Sequence, residues 1–321
     1  MTLDIGYHAS HEQFPPSELL RLAQRADLAG FGCALNSDHF HPWTEAQGQS
    51  GLAWSWMGAA LATTRLASIG VVNAPGQRYH PAIIAQALGT LGEMFPGRAW
   101  AALGSGQALN EHITGAPWPA KDQRNARLLE CVQIIRALLR GEEITHRGLV
   151  VVEQAKLYTR PKDPPLLVGA ALTPETARWV AGWADGLITA SGPRDHVARV
   201  VAAFREGGGE NKPMFLKVQL SWAPTIDEAR KGAHEQWASN ILPSSILNEL
   251  RVPAQFDALG AVVQPNELDG HVRISADLAQ HRDWLHQDEQ LGFSRVYLHN
   301  VNRAQAPFID AFAEQVLPAL C

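Results

Sequence analysis

Leu66-Ala67-Ser68-Ile69-Gly70-Val71-Val72, then Pro81-Ala82-Ile83-Ile84-Ala85-Gln86-Ala87-Leu88-Gly89-Thr90-Leu91-Gly92-Glu93-Met94, then Arg98-Ala99-Trp100-Ala101-Ala102-Leu103 decide the fold. The first and third runs are short, apolar and rich in β-branched or small residues, as buried parallel strands are. The stretch between them opens on proline and spaces its apolar residues for a helix. Working outward, the same unit recurs. Leu3–Ala9 and Phe31–Asn36 read as the first two strands, with the helix Pro16–Ala29 between them. Asp122–Leu139 reads as a long helix, and Glu143–Tyr158 as a hairpin turning at Arg147-Gly148. Pro165–Gly169, Gly186–Thr189, Met214–Trp222 and Arg295–His299 read as the fifth to eighth strands, with Pro307–Leu317 a closing helix. Eight strands alternating with helices predict an α/β protein, a (β/α)8 TIM barrel; an open doubly wound sheet is the alternative for such alternation. The stretch 238–270 fits neither strand nor barrel helix and is expected to be an insertion after the seventh strand that covers the barrel mouth. No repeat or composition shift marks a boundary, so 1–321 reads as one domain.

Composition narrows the function. With 46% hydrophobic residues over 321 positions, the chain buries enough surface to fold. Its 27 basic and 32 acidic residues give a net charge of −5, without the basic footprint of a nucleic-acid or anionic-membrane partner. Cys33, Cys131 and Cys321 are too few and too far apart for a disulfide framework. No apolar run reaches the roughly 18 residues of a membrane span, and the start has no signal-peptide pattern, so a cytoplasmic location is expected. Walker A, His-Glu-x-x-His, Cys-x-x-Cys and Gly-x-Ser-x-Gly are all absent.

In such a barrel the chemistry gathers at the C-terminal strand ends. The second strand runs into Ser37-Asp38-His39-Phe40-His41-Pro42-Trp43. There an imidazole either faces the axis as a proton shuttle or is satisfied by Asp38 in a loop, and Trp43 is either a wall for a planar ligand or loop packing. The third strand ends at Val71, Val72 and Asn73, and the fourth at Gly104-Ser105-Gly106-Gln107. Two residues without a Cβ let a flat ligand or anion approach there, although a tight turn explains them equally. The fifth ends at Ala170, Ala171, Leu172 and Thr173, where Thr173-Pro174 caps a helix whose free N–H groups suit a phosphate. Ser191 and His299 close the later strands.

Three of these segments carry a likeness. Ser37-Asp38-His39-Phe40-x-Pro-Trp43, Gln77-Arg78-Tyr79-His80-Pro81 through Ala87, and Gly104-Ser105-Gly106-Gln107-Ala108-Leu109-Asn110-Glu111 resemble the bacterial luciferase-like flavin and deazaflavin oxidoreductases. Within them the branch most similar is that of deazaflavin-dependent glucose-6-phosphate dehydrogenases. The likeness spans nearly the whole chain and thins after about Asn240. It implies that His39 is the active-site base held by Asp38, with Trp43 beside the reacting carbon. It puts a non-proline cis peptide at Val71-Val72 behind the ring, with Asn73 at the same strand end. Ser105, Gly106 and Gln107 would line that ring, Ala170–Thr173 would hold the cofactor phosphate through backbone N–H groups, and the protein would be a homodimer.

Three departures redirect the substrate. Gln107 replaces the family's proton-transferring glutamate, and an amide cannot ionise. Pro193 and about Ala258 stand where lysines hold the sugar phosphate, leaving adjacent Arg194 as the substitute. The opening Gly6-Tyr7-His8-Ala9-Ser10-His11-Glu12-Gln13-Phe14 resembles a sister group of FMN-using, non-deazaflavin oxidoreductases. The expectation is therefore an FMN-dependent oxidoreductase, with monooxygenation among its reactions, acting on a small molecule other than glucose-6-phosphate and supplied by a flavin reductase. The alternative cofactor is the deazaflavin coenzyme F-420, serving a dehydrogenase of an alcohol or sugar. A metal-dependent hydrolase using His39 and His41 with His299, and a flavin-binding protein without turnover, are the readings from other classes.

Overall fold

A computed structural model describes residues 3–320. Its strands, in chain order, are β1 (Asp4–Ala9), β2 (Cys33–Ser37), β3 (Ser68–Asn73), β4 (Ala99–Leu103), β5 (Ile144–Arg147), β6 (Val151–Ala155), β7 (Leu167–Ala170), β8 (Gly186–Ala190), β9 (Met214–Ser221), β10 (Arg273–Ile274) and β11 (Arg295–Asn300). β1, β2, β3, β4, β7, β8, β9 and β11 pair in that order, all parallel, and β11 returns to β1. The sheet closes as an eight-stranded TIM barrel inside its helices. β5 and β6 form an antiparallel hairpin, and the two-residue β10 extends the sheet alongside β9. Cys33 and Cys131 are buried and unpaired, and Cys321 lies outside the described residues.

Period-two alternation sorts each barrel strand into an outward face against the helices and an inward face toward the axis. Cys33, Leu35, Trp100, Ala102, Val168, Ile188, Phe215 and Tyr297 form the inner cluster. At its centre the Trp100 ring lies 5.0 Å from Phe215 and 5.9 Å from Tyr297, between centroids. Gly70, opposite Trp100 in the β3–β4 register, leaves room for that indole, which a Cβ at this position would strike. These aromatic side chains plug the lower barrel.

One inward step higher the character changes, and the plug becomes a floor. Following Gly6, Leu35, Phe215 and Tyr297 by two residues come His8, Ser37, Lys217 and His299. Following Gly70, Ala102, Val168 and Ile188 come Val72, Gly104, Ala170 and Ala190. The mouth is thus polar over β9, β11, β1 and β2, and small or apolar over β3, β4, β7 and β8. Above it, short helices occupy much of 238–268, among them Ser244–Leu247 and Pro253–Gly260. From them Leu247 and Phe256 pack on Leu109 and half-buried Trp43.

Candidate active site

On the polar half, Glu12 follows β1 and is buried. Its Oε2 accepts from Ser10 Oγ at 2.8 Å and Ser37 Oγ at 2.7 Å, while Oε1 lies 3.4 Å from His39 Nε2. Burial raises the Glu12 pKa, but His39 and the two hydroxyls outweigh it and leave the net value lowered. For His39 burial is the largest influence and lowers the pKa, with Arg78 acting in the same direction; Glu12 opposes it. The imidazole is therefore neutral at neutral pH beside an ionised carboxylate. His39 Nδ1 is buried without a hydrogen-bond partner, and Nε2 is the ring nitrogen that faces Glu12. The Trp43 ring stands 4.7 Å from the imidazole and 5.3 Å from Phe256. Below them His8 and His299 approach to 4.5 Å, and His299 Nε2 is 3.2 Å from Gln13 Oε1. Burial holds both of these imidazoles well below the ordinary value.

Asp38 does not hold His39, contrary to expectation. Its Oδ2 takes the Asn73 amide at 2.5 Å, its Oδ1 takes the Tyr79 hydroxyl at 3.2 Å, and the Arg78 guanidinium lies 3.3 Å away. The carboxylate is consumed by this network because β2 and β3 end side by side, bringing Asn73 to it. Arg78 also donates from its backbone N–H to Glu111 Oε2 at 2.7 Å, and burial raises the Glu111 pKa. Asp38, Asn73, Arg78 and Glu111 tie the ends of β2, β3 and β4 together. Glu12 is the partner of His39 that sequence reasoning missed. Lys217 was missed as well, although its alternation with Phe215 and Gln219 in Met214–Ser221 marks it as inward-facing.

The small half carries the expected ring-lining residues. Gly104, Ser105, Gly106 and Gln107 are half-buried at the rim, and Gly106 adopts φ +85, the left-handed region. The Gln107 carbonyl accepts from the Asn110 and Glu111 N–H groups, opening the short helix Ala108–Glu111. The peptide between Val71 and Val72 is trans, and no cis peptide occurs among the described residues. Both valines are registered with β2 on one side and β4 on the other, and that ladder keeps the strand extended. Ala171 cannot offer its N–H to a phosphate, because the β7–β8 ladder directs it to the Ile188 carbonyl at 3.0 Å. Thr173 Oγ1 caps the Thr176 N–H at 3.2 Å. The N–H groups of Leu172 and Thr173 have no protein acceptor among the described residues, and Leu172 is half-exposed. A flat, small-residue wall ending in two unspent donors fits a planar cofactor with a phosphate tail.

His41 turns away from His39. Its Nδ1 lies 2.9 Å from the Leu109 carbonyl and its ring stacks on His112 at 5.5 Å. His39 and His41 are thus not a ligand pair, and no cluster able to hold a metal occurs among the described residues. Arg194 is exposed and donates to the Gln287 carbonyl at 2.8 Å and to Gln290 at 3.2 Å. Ser191 donates to Gln219 Oε1 at 2.8 Å. No described helix is long and apolar enough to cross a membrane.

Comparison with known proteins gives a consistent picture. Residues 2–295 match the family model described as luciferase-like monooxygenase. The F420-dependent glucose-6-phosphate dehydrogenase of Beutenbergia cavernae is 33% identical over 329 aligned positions, covering 99% of this chain and 97% of that protein. The enzyme of the same name from Nakamurella multipartita is 34% identical, with 98% and 96% covered. Among solved structures, an F420-dependent secondary alcohol dehydrogenase in complex with an F420-acetone adduct superposes with a TM-score of 0.92 at 30% identity over the full length of both chains. The F420-dependent tetrahydromethanopterin reductase of Methanopyrus kandleri shares the fold, with a TM-score of 0.81 at 17% identity.

Proposed function

The chain belongs to the luciferase-like monooxygenase family, and from that premise we propose that this oxidoreductase is a deazaflavin-dependent alcohol dehydrogenase with His39 as its base. The observation that carries this reading is the His39–Glu12 pair: a half-buried imidazole kept neutral at the barrel mouth, beside a buried ionised carboxylate, is the acceptor an alcohol hydroxyl needs. The full-length likeness to F420-dependent dehydrogenases supports the deazaflavin over FMN.

Val72, Gly104, Ser105, Gly106, Gln107 and Ala170 would receive the cofactor ring, and the Leu172 and Thr173 N–H groups its phosphate. When bound, the deazaflavin supplies the two-electron hydride acceptor. The His39 imidazole takes the hydroxyl proton, and Glu12, 3.4 Å from Nε2, stabilises the imidazolium that results. Trp43 and Phe256 keep water from the carbinol carbon. Gln107 hydrogen-bonds but exchanges no proton, so the site has one base. Pro193 and Ala258 offer no cation where lysines are expected to hold a sugar phosphate, which disfavours glucose 6-phosphate as the substrate.

Parallel titration of purified protein with FMN, FAD and the deazaflavin coenzyme, followed by assay with secondary alcohols, tests the reading. Expected are micromolar or tighter deazaflavin binding and alcohol-dependent bleaching of its visible absorbance. His39→Ala is expected to lower turnover by about 10²–10⁴-fold. Preferential FMN binding with oxygen consumption would replace the dehydrogenase by a monooxygenase.

A further inference from the structure

The polar half holds one charged group that the steps above leave idle. Lys217 sits on β9 in register with Ala190 of β8 and Tyr297 of β11, one inward step above Phe215. Its side chain is half-buried, its ammonium has no carboxylate within 4.0 Å, and it donates to no acceptor among the described residues. Its near neighbour is the Trp237 ring, 5.3 Å from Nζ to the centroid. Every other ionisable group facing it is committed. Glu12 is occupied by Ser10, Ser37 and His39, while His8, His299 and His39 are kept neutral, chiefly by burial. Burial pulls the Lys217 pKa down to about 8, against a smaller opposing effect of Glu12, so the group is still mainly protonated at neutral pH. A shielded cation without a counter-charge is costly to maintain.

The cofactor-lining residues lie on β3, β4 and β7, across the mouth from β9, so the open side of Lys217 is the side where substrate meets His39. We infer that Lys217 is a specificity-determining residue that binds a substrate carboxylate, and that the substrate is a short hydroxy acid. This rests on the dehydrogenase reading above. The hydroxyl docks at His39 and the carboxylate at Lys217, two attachments that orient the carbinol carbon between them. The step balances: the carbinol C–H leaves as hydride to the oxidised deazaflavin, the O–H proton passes to His39, and a keto acid remains. A single ammonium matches one carboxylate charge. A phosphate dianion beside ionised Glu12 would meet no second cation among the groups that face Lys217, since His8, His39 and His299 are kept neutral.

The test compares kcat/KM for 3-hydroxybutyrate, glycerol 3-phosphate and neutral 2-butanol in the deazaflavin-loaded enzyme and in Lys217→Met. Calorimetric titration of the same proteins with butyrate and with butyramide gives a readout independent of turnover. Expected are a preference for the hydroxy acid in the wild type, a fall of about 10- to 100-fold in the hydroxy-acid to neutral-alcohol ratio in Lys217→Met, and loss of butyrate but not butyramide binding. Using the ratio removes any general damage to the variant. A ratio unchanged by the substitution, while alcohols are still oxidised, would overturn the role of Lys217 and leave the dehydrogenase standing. A preference for glycerol 3-phosphate would overturn the carboxylate class. Weakened deazaflavin affinity with an unchanged ratio would make Lys217 a cofactor contact instead. Failure of the deazaflavin to bind would remove the dehydrogenase and this inference together.

Discussion

Replacing Glu12 by glutamine removes the carboxylate that raises the His39 pKa while leaving the shape of the site. With His39 as the proposed base, the acidic limb of kcat/KM is expected to report that imidazole and to lie below the ordinary 6.5, because burial is the largest influence on it. In Glu12→Gln the limb moves further toward low pH, and the plateau drops about 10- to 100-fold as the imidazolium loses its charged partner. A limb that stays in place or moves upward would remove Glu12 from its role beside His39. Legibility at this scale was uneven. His39 and Trp43 stand together in one seven-residue run after a strand, so their proximity is local and visible in the sequence. Glu12 meets His39 only because β1 and β2 are neighbours, and Asp38, though adjacent to His39 in the chain, faces Asn73 and Tyr79 instead. Adjacency in sequence was a poorer guide to partnership than adjacency of strands.

At the scale of elements, the turn after β4 rests on Gly106. A Cβ there would come within 3.1 Å of Glu111 Cγ and 3.3 Å of Ala74 Cβ, on a backbone at φ +85. Gly106→Ala is therefore expected to cost about 1–2 kcal/mol, read from urea unfolding, and to weaken deazaflavin binding in the same titration. Unchanged stability and affinity would mean that this turn neither carries strain nor shapes the rim. All eight barrel strands were legible to within two or three residues, because short β-branched runs that alternate with helical stretches pack well only as buried parallel strands. The helix Ala53–Thr63 was not. Its Ala-Trp-Ser-Trp-Met-Gly-Ala-Ala-Leu-Ala-Thr has little polar face, so no amphipathic stripe announces it. The Glu143–Tyr158 hairpin turns near Gly148 as expected, with the Gly148 N–H donating to the Val150 carbonyl at 3.1 Å.

Across the whole molecule, buried histidines make acid the natural stress. Burial lowers His11 to about 4 and His281 to about 4, and holds His8 and His299 well below their ordinary value. Between pH 6.5 and 4 the unfolded chain binds these protons and the native chain does not, so stability falls as pH drops through that window. The loss approaches about 1.4 kcal/mol per pH unit for each such residue. Urea unfolding at pH 7 and pH 5 measures it; equal midpoints would contradict the buried, neutral assignment. The barrel's interior has a kinetic counterpart. Because Trp100, Phe215 and Tyr297 plug the axis from beneath, His39 is not approached through the barrel bottom. Whatever enters above His39 leaves by the same route, so product has to clear the mouth before the next substrate arrives. The traffic through it is single file.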